Sequence, residues 1–441
     1  MTKALKMSNF VKRFKQSWVR LTDVRKKSNR LTYTMAEIAL SAFAVFFMQA
    51  PSFLSYQRDM EQKKRSNNAR NLFKVEKIPC DQQIRNVLDH VKPEEINAEF
   101  FWLINELEQT GHLESYTWFE KTKAIALDGL TYHSSSEIHC QNCSTRKDSQ
   151  GVVHYYHHAL MPVIVKPDCA EVLVLPPEFI VPQDGHEKQD CERAASKRWI
   201  KQHATHFAPF TMTYLGDDLY SNQPLCQQIL EEAQQFFLFV CKPDSHKTLY
   251  EEIALLEKVD GGISTRQIRY WNGLSHELRT YRWATHLPLR SGDDGLFVNW
   301  CELHITDAVS GNSLFHNAWI TNHQITDTNV IAACQLGRTR WKIENEAINV
   351  LKNQGYHLEH NFGHGDKHLS SCLFTLNLLA FLAHTALYLA NLQYRLIRQA
   401  LVKRITFFDD LRALTRYMLF ISWEHLLTFM LDGLEINPAP T

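Results

Sequence analysis

Two short apolar runs that each lead into an aspartate constrain the fold of this chain more than any other feature. Residues 123–127 (KAIAL) are followed by Asp128, and residues 211–215 (TMTYL) are followed by Gly216 and Asp217. An apolar run of about five residues bounded by turn residues is typical of a strand buried inside a sheet. The sequence therefore predicts two buried strands, each delivering a carboxylate at its carboxyl end. Taken singly, an aspartate at a strand end is more often a turn or cap residue than a ligand.

Further strand and helix signals surround these two runs. The predicted elements are, in order, a strand at 123–129, a strand at 152–165, a strand at 171–175, a helix at 187–203, a strand at 211–215, a helix at 222–235 and a strand at 236–241. In such an order the first three strands form a meander, and the fourth and fifth lie parallel through crossover helices. This order predicts an α/β fold with a ribonuclease-H-like core.

A helix is predicted near residue 344, in the stretch 337–365. On a wheel of 100° per residue, Trp341 and Ile343 belong to a broad apolar face into which Arg340 and Glu344 also project. Burying a carboxylate in an apolar face costs free energy unless a cation or a hydrogen-bond donor contacts it, so Glu344 needs a partner such as Arg340 or a metal. The alternative is a plain surface pair at the i, i+4 spacing.

The run from Arg340 to Glu344 (RWKIE) resembles the signature of DDE-type bacterial insertion-sequence transposases of the group called IS four. Residues 216–220 (GDDLY) are similar to the Gly-Asp-x-Leu-Tyr pattern of that group, and the similarity extends over nearly the whole chain, including residues 355–365. The resemblance implies that Glu344 is the third catalytic carboxylate. It also favours Asp217, which directly follows its strand, over the neighbouring Asp218.

The resemblance implies phosphate contacts close to Glu344 as well. Arg340 occupies the arginine position of the signature, while Arg338 and Lys352 stand next to the positions that a tyrosine and a lysine occupy in the family and that hold Gly337 and Leu351 here. We therefore expect Arg338, Arg340 and Lys352 to contact DNA.

The three carboxylates together have a chemical purpose. Asp128, Asp217 and Glu344 repel one another unless cations lie among them, and they suit two Mg²⁺ or Mn²⁺ ions about 4 Å apart. The resemblance implies a DNA transposase that cuts double-stranded DNA at terminal inverted repeats and joins the ends to target DNA, acting as a homodimer in the DNA complex. Two alternatives stay open: a catalytically silent DNA-binding protein, and a ribonuclease-H-like nuclease without strand transfer.

Charge is balanced overall but unevenly distributed. The chain has 48 Lys and Arg against 48 Asp and Glu, yet residues 3–30 hold ten cations and one acid. Such a run favours phosphate backbones, and we expect Lys12, Arg13, Lys26 and Lys27 to contact DNA. The alternative is a solvated, flexible arm.

The expected organisation follows from these signals. The predicted regions are an all-α N-terminal DNA-binding domain at 1–119, the first part of the core at 120–241, a β-rich insertion at 242–335, the catalytic-Glu helix and following helix of the core at 336–400, and a C-terminal helical tail at 401–441. In the resembling group such an insertion carries an aromatic residue that holds a flipped base, and Trp271, Trp283 and Trp300 are the candidates here. Their alternative role is packing within the sheet.

Cysteine usage favours a reducing, cytoplasmic location, because most of the ten cysteines are scattered singly in apolar segments. Cys140 and Cys143 form the one Cys-x-x-Cys pair, and with His186 and Cys191 they are a candidate zinc site. The alternative is a pair of reduced thiols. Two apolar stretches, 38–48 and 372–390, suit buried helices better than membrane spans, because the first is short and the second contains polar residues.

Overall fold

A computed structural model describes residues 5–26, 31–61, 67–182 and 190–437 of the chain, which forms a mixed α/β structure with two sheets. Two predicted site residues, Lys27 and His186, lie outside the described residues. The remaining predicted site residues are all described.

The region before residue 120 is helical throughout its described part, apart from one isolated bridge between Glu61 and Asn67. Its α-helices are α1 (Met7–Trp18), α2 (Met35–Phe47), α3 (Phe53–Met60), α4 (Asn68–Phe73), α5 (Asp81–Leu88) and α6 (Asn97–Gln109). Helix α2 begins at a capping box, in which the Thr34 side chain accepts a hydrogen bond from the Glu37 backbone and the Glu37 carboxylate accepts one from the Thr34 backbone.

Helix α1 is amphipathic and packs on α2. Its residues Phe10, Phe14 and Trp18 are fully buried, and Phe14 contacts the ring of Phe43 in α2 edge to face. Burying three aromatic side chains stabilises this contact by several kcal/mol, on the scale of about 2–3 kcal/mol per large apolar side chain. Residues 7–18 are therefore a folded part of the core rather than a flexible arm.

One nine-stranded sheet runs through the molecule in the order β10-β11-β12-β13-β9-β8-β1-β5-β6. Its strands are β1 (Lys123–Ala126), β5 (Val163–Val165), β6 (Leu173–Val174), β8 (Met212–Gly216), β9 (Phe236–Val240), β10 (Ser264–Trp271), β11 (His276–Pro288), β12 (Phe297–Asp307) and β13 (Ser313–Thr321). Strands β1, β8 and β9 are parallel neighbours, whereas β5 pairs antiparallel with β1 and with β6.

The β-rich segment continues this same sheet. Strands β10 to β13 form an antiparallel meander, and β13 pairs antiparallel with β9 through Trp319 and Val240. The segment predicted as a β-rich insertion at 242–335 therefore does contain four strands, and they are joined edge to edge with the five strands of the predicted core.

A second, smaller sheet has three of its four strands between β1 and β5 in the chain and its fourth after β6. It consists of β2 (Gly129–Ser135), β3 (Ser144–Lys147), β4 (Val153–Leu160) and β7 (Glu178–Ile180). The prediction of one strand over 152–165 is wrong, because β4 and β5 belong to different sheets. Pro162 separates them, since it has no N–H to donate to a ladder, and the Met161 N–H instead donates to the carbonyl of Asp128 at 2.8 Å.

The remaining helices are α7 (Glu192–Phe207), α8 (Gln223–Gln227), α9 (Lys247–Leu256), α10 (Val330–Arg338), α11 (Asn349–Asn353), α12 (Leu369–Ala390), α13 (Leu392–Ala400), α14 (Arg404–Tyr417) and α15 (Trp423–Gly433). Helix α12 is long and apolar enough to cross a membrane, but 89% of its most apolar window is buried inside the protein. Its interior polar residues Thr375, Asn377, His384 and Thr385 are buried. The Asn377 side chain, for example, donates to the Tyr356 carbonyl at 2.9 Å. Helix α12 packs on α2, so both apolar stretches of the sequence are core helices.

The helical stretch that carries Glu344 is irregular. A 3₁₀ turn at Thr339–Trp341 follows α10, and a π-helical turn at Ile343–Ile348 leads into α11. The wheel of 100° per residue therefore does not apply, and the prediction that Trp341 and Glu344 face the apolar side is wrong, since both are exposed. Gly337 precedes this stretch and lies so close to Trp319 that a Cβ atom there would be 2.6 Å from the indole ring.

The three tryptophans considered for base contact differ in burial. Trp300 is fully buried and Trp283 is 8% exposed, whereas Trp271 is 54% exposed. We expect Trp300→Ala and Trp283→Ala to lower the free energy of unfolding by about 3–5 kcal/mol each. Trp271→Ala is the matched control and is expected to change it by less than about 0.5 kcal/mol. Urea unfolding of the three variants tests this, and equal losses in all three would contradict the assigned burial.

Candidate active site

Asp128 and Asp217 stand side by side at the carboxyl ends of two parallel strands. Ala126 of β1 is in register with Leu215 of β8, and the Leu127 N–H donates to the Leu215 carbonyl at 2.8 Å. Asp128 comes two residues after Ala126, and Asp217 comes two residues after Leu215. The two aspartates therefore lie at the same level at the ends of neighbouring strands, which are about 4.8 Å apart. The sequence signal and the register of the sheet thus place the two carboxylates together.

Arg340 reaches Asp128 from the helical stretch. Its guanidinium nitrogen lies 3.1 Å from Asp128 Oδ2, and both side chains are about one-quarter exposed. Burial nevertheless raises the pKa of Asp128 from its ordinary value of 3.8 to about 6; Arg340 opposes this rise, and the neighbouring charges of Asp217 and Glu192 add to it. Among the described residues, Asp128 therefore lies near two further carboxylates, those of Asp217 and Glu192, and the guanidinium of Arg340.

Glu192, at the start of α7, is a site residue that the sequence analysis missed. Its Oε1 lies 3.0 Å from His158 Nε2, and its Oε2 accepts a hydrogen bond from the Tyr220 hydroxyl at 3.1 Å. The hydrogen bond with His158 holds the pKa of Glu192 below its usual value despite burial. An acid in the first turn of a helix is ordinary in sequence, so the sequence signal did not distinguish Glu192 from a dipole-stabilising residue.

Gly129, directly after Asp128, leaves room for the contact between Glu192 and His158 because it has no side chain. A Cβ atom at residue 129 would be 2.3 Å from the Glu192 carboxylate and 2.5 Å from His158 Nε2. Any side chain at this position would therefore push the Glu192 and His158 pair away from Asp128.

Asp218, the rival of Asp217, is engaged elsewhere. It accepts a hydrogen bond from the Lys242 backbone at 2.7 Å and another from the Ser245 hydroxyl, and it lies 3.4 Å from His246 Nε2. Asp217 accepts one hydrogen bond, from the Leu219 backbone at 2.9 Å. Asp217 is thus the less engaged of the two carboxylates.

Glu344 lies four residues after Arg340, in the π-helical turn that follows the 3₁₀ turn of Arg340. Its side chain is exposed and makes no hydrogen bond or ion pair with any described residue. Glu346 instead lines a separate cavity of about 600 Å³, together with Arg398 and Arg404. The described residues give Glu346 no hydrogen bond or ion pair either, and they show no contact between Glu344 and Asp128 or Asp217. The position of Glu344, four residues after the arginine that contacts Asp128, is what distinguishes it from Glu346.

All three cations predicted near the third carboxylate, Arg338, Arg340 and Lys352, have partners within the protein. The Arg338 guanidinium lies 4.5 Å above the Phe315 ring, and Lys352 pairs with Glu359 at 3.1 Å. Leu351, which stands at the lysine position of the family signature, is fully buried.

The N-terminal cations divide into two kinds. Arg13 pairs at 3.2 Å with Glu99, whose side chain is 1% exposed, so the charge of Arg13 offsets that of a buried carboxylate in the helical region. Lys12 and Lys26 are exposed, and the described residues offer neither of them an ion pair. Of the predicted N-terminal DNA contacts that the structure describes, these two therefore remain available to a phosphate backbone.

Four potential metal ligands converge beside the small sheet. They are Cys140 and Cys143 before β3, His157 in β4 and His364 in the loop between α11 and α12, and their ligand atoms all lie within 4.8 Å of one another. The cluster contains two of the four residues predicted to bind zinc. Cys191 is exposed at the start of α7 and is not part of it, so the prediction of that ligand is wrong. The sequence analysis named Cys191 as a partner of the Cys-x-x-Cys pair, whereas the fold brings His157 and His364 to it.

No family model matches this sequence, and no curated protein matches it either.

Proposed function

We propose that this protein is a DNA transposase that cuts transposon ends and joins them to target DNA by metal-dependent phosphoryl transfer. The observation that carries the proposal is the in-register placement of Asp128 and Asp217 at the carboxyl ends of β1 and β8. The order β6-β5-β1-β8-β9, with three antiparallel and then two parallel strands, supports a ribonuclease-H-like core.

The donor set fits hard divalent cations. Asp128, Asp217 and Glu344 offer carboxylate oxygens only, which suit Mg²⁺ or Mn²⁺ better than zinc. The raised pKa of Asp128 supports the fit, because burial and two neighbouring carboxylates leave a charge that a cation would offset. When bound, such ions supply an activated water or 3′ hydroxyl and stabilise the leaving oxygen.

The protein side chains perform the remaining tasks. Asp128 and Asp217 come just after strands of the large sheet. In this proposal Glu344 is the third carboxylate, contributed by the helical stretch that also carries Arg340. Arg340 holds Asp128 in place and presents the rest of its guanidinium to a phosphate. His158 and Tyr220 occupy both oxygens of Glu192, so we assign Glu192 a positioning role beside Asp128 rather than the role of third ligand.

The helical N-terminal region supplies a second DNA contact in this proposal. We expect Lys12→Gln with Lys26→Gln to reduce the slope of log affinity against log salt concentration by about 1–2, because each phosphate contact contributes about 0.9. Truncation is unsuitable, since α1 belongs to the core. Binding titrations with duplex DNA at several salt concentrations measure this slope. Lys258→Gln, an exposed cation beyond α9, is the control, and an equal reduction in that variant would contradict the assignment.

The function is tested with the DNA that flanks the gene. Sequencing that DNA identifies the terminal inverted repeats, and labelled duplexes carrying them are incubated with the protein and Mg²⁺, Mn²⁺ or EDTA. We expect nicks at the repeat ends with either metal and none with EDTA. Specific binding without nicks under all conditions would instead support the catalytically silent DNA-binding protein.

A further inference from the structure

We propose that Cys140, Cys143, His157 and His364 together bind one structural zinc ion. The cluster shares no residue with the three carboxylates, and the inference does not depend on the proposed function. It rests on the spacing of the four ligand atoms, on their burial and on the chain segments that they join.

The spacing is that of a tetrahedral metal site. Zinc–sulphur bonds of about 2.3 Å and zinc–nitrogen bonds of about 2.05 Å place two sulphurs about 3.8 Å apart and a sulphur and a nitrogen about 3.6 Å apart. The two sulphurs are 4.0 Å apart, and Cys140 Sγ lies 3.6 Å from His157 Nε2. Cys143 Sγ lies 3.4 Å from His157 Nε2 and 3.6 Å from His364 Nε2.

The surroundings suit a closed structural site. Cys143, His157 and His364 are at most 8% exposed, and Cys140 is partly buried. Four protein ligands leave no open position, which distinguishes structural zinc from catalytic zinc. Within the cluster, the Cys140 N–H donates to Cys143 Sγ at 3.4 Å. Outside it, the Asn142 side chain donates to the Lys367 carbonyl at 2.6 Å, which joins the loop of the two cysteines to the loop that follows His364.

An ion here would join segments that are 221 residues apart, because Cys143 precedes β3 and His364 follows the helical stretch of Glu344. It would also fix β4. Adjacent residues of a strand point to opposite faces, so His157 faces the cluster while His158 faces Glu192. The zinc site would thus hold the strand that positions Glu192 beside Asp128.

The test measures zinc in the full-length protein. Protein purified under reducing conditions is equilibrated with zinc, freed of loosely bound ions by dialysis against a weak chelator and analysed by mass spectrometry. We expect about one zinc per chain in the native protein and in Cys191→Ser, and less than about one-tenth of that in Cys143→Ser and His364→Ala. Absence of zinc from the native protein, its retention in both cluster variants, or its loss from Cys191→Ser would overturn the proposal.

A measurement on the native protein covers the case in which the cluster variants do not fold. Iodoacetamide labelling mapped by mass spectrometry reports how accessible each thiol is. Adding zinc to metal-free protein is expected to slow labelling of Cys140 and Cys143 at least about tenfold, because a thiolate bound to zinc is a weak nucleophile. The exposed Cys80 and Cys191 are internal controls. Equal labelling of Cys140 and Cys143 with and without zinc would also overturn the proposal.

Discussion

Asp217→Asn is expected to lower the rate of Mg²⁺-dependent cleavage at transposon ends by on the order of 10³-fold or more, while binding to end DNA persists. The amide keeps the shape of the side chain but removes the charge that balances the cation. Asp128→Asn and Glu344→Gln are expected to behave in the same way. Single-turnover cleavage of labelled end duplexes at saturating protein separates the loss of chemistry from any loss of binding.

Three matched variants make this result specific. Glu346→Gln alters an acid that lines another cavity, and Asp218→Asn alters one bonded to Lys242 and Ser245, so both are expected to cleave within about tenfold of the native rate. Glu192→Gln is expected to retain more activity than Glu344→Gln, because Glu192 positions Asp128 rather than completing the ligand set. The reverse order would make Glu192 the third ligand.

Asp128→Asn is expected to raise the stability of the metal-free protein by up to about 3 kcal/mol at pH 8. The pKa of Asp128 is raised from 3.8 to about 6 by burial, so keeping it ionised in the folded state costs free energy. This difference in pKa corresponds to about 3 kcal/mol, at about 1.36 kcal/mol for each tenfold change in proton affinity. The folded protein binds the extra proton between pH 3.8 and about 6, so its stability falls as pH rises through that range and the cost is complete above it.

Urea unfolding in EDTA at pH 8 and near pH 4 measures this effect. Asp128→Asn should have a higher free energy of unfolding than the native protein at pH 8. This difference should vanish near pH 4, because the native carboxyl is itself protonated there in the folded state. Addition of Mg²⁺ at pH 8 should stabilise the native protein and leave the variant unchanged. A variant that is less stable than the native protein at pH 8 in EDTA would show that the Arg340 pair outweighs the cost of burial.

The strand signals could be predicted because they are local. The apolar runs before Asp128 and Asp217 are too short for helices and end in turn residues, and both form buried strands in register. The boundary at Pro162 could not be placed from the run alone, because which sheet a strand joins depends on the partners available to it. The pairing of β4 with β2, rather than with β1, is a long-range property.

The predictions for the helical stretch and for the metal cluster were wrong for two different physical reasons. A regular wheel put Glu344 on the apolar face, but the 3₁₀ and π-helical turns shift the positions of side chains around the axis. For the cluster, a Cys-x-x-Cys pair reveals two ligands locally, while His157 and His364 join it only through strand pairing and the loop before α12. Glu192 was missed for the same reason, since its partners His158 and Tyr220 come from other elements.

Strand transfer tests the central claim most directly. Labelled duplexes that carry the terminal repeats and end in 3′ hydroxyls are incubated with a supercoiled plasmid, the native protein and Mg²⁺. We predict covalent attachment of the label to the plasmid by the native protein, and none by Asp217→Asn or in the presence of EDTA. Cleavage of the ends without any joining would reduce the protein to a nuclease, and joining that survives Asp217→Asn would contradict the assignment of the site.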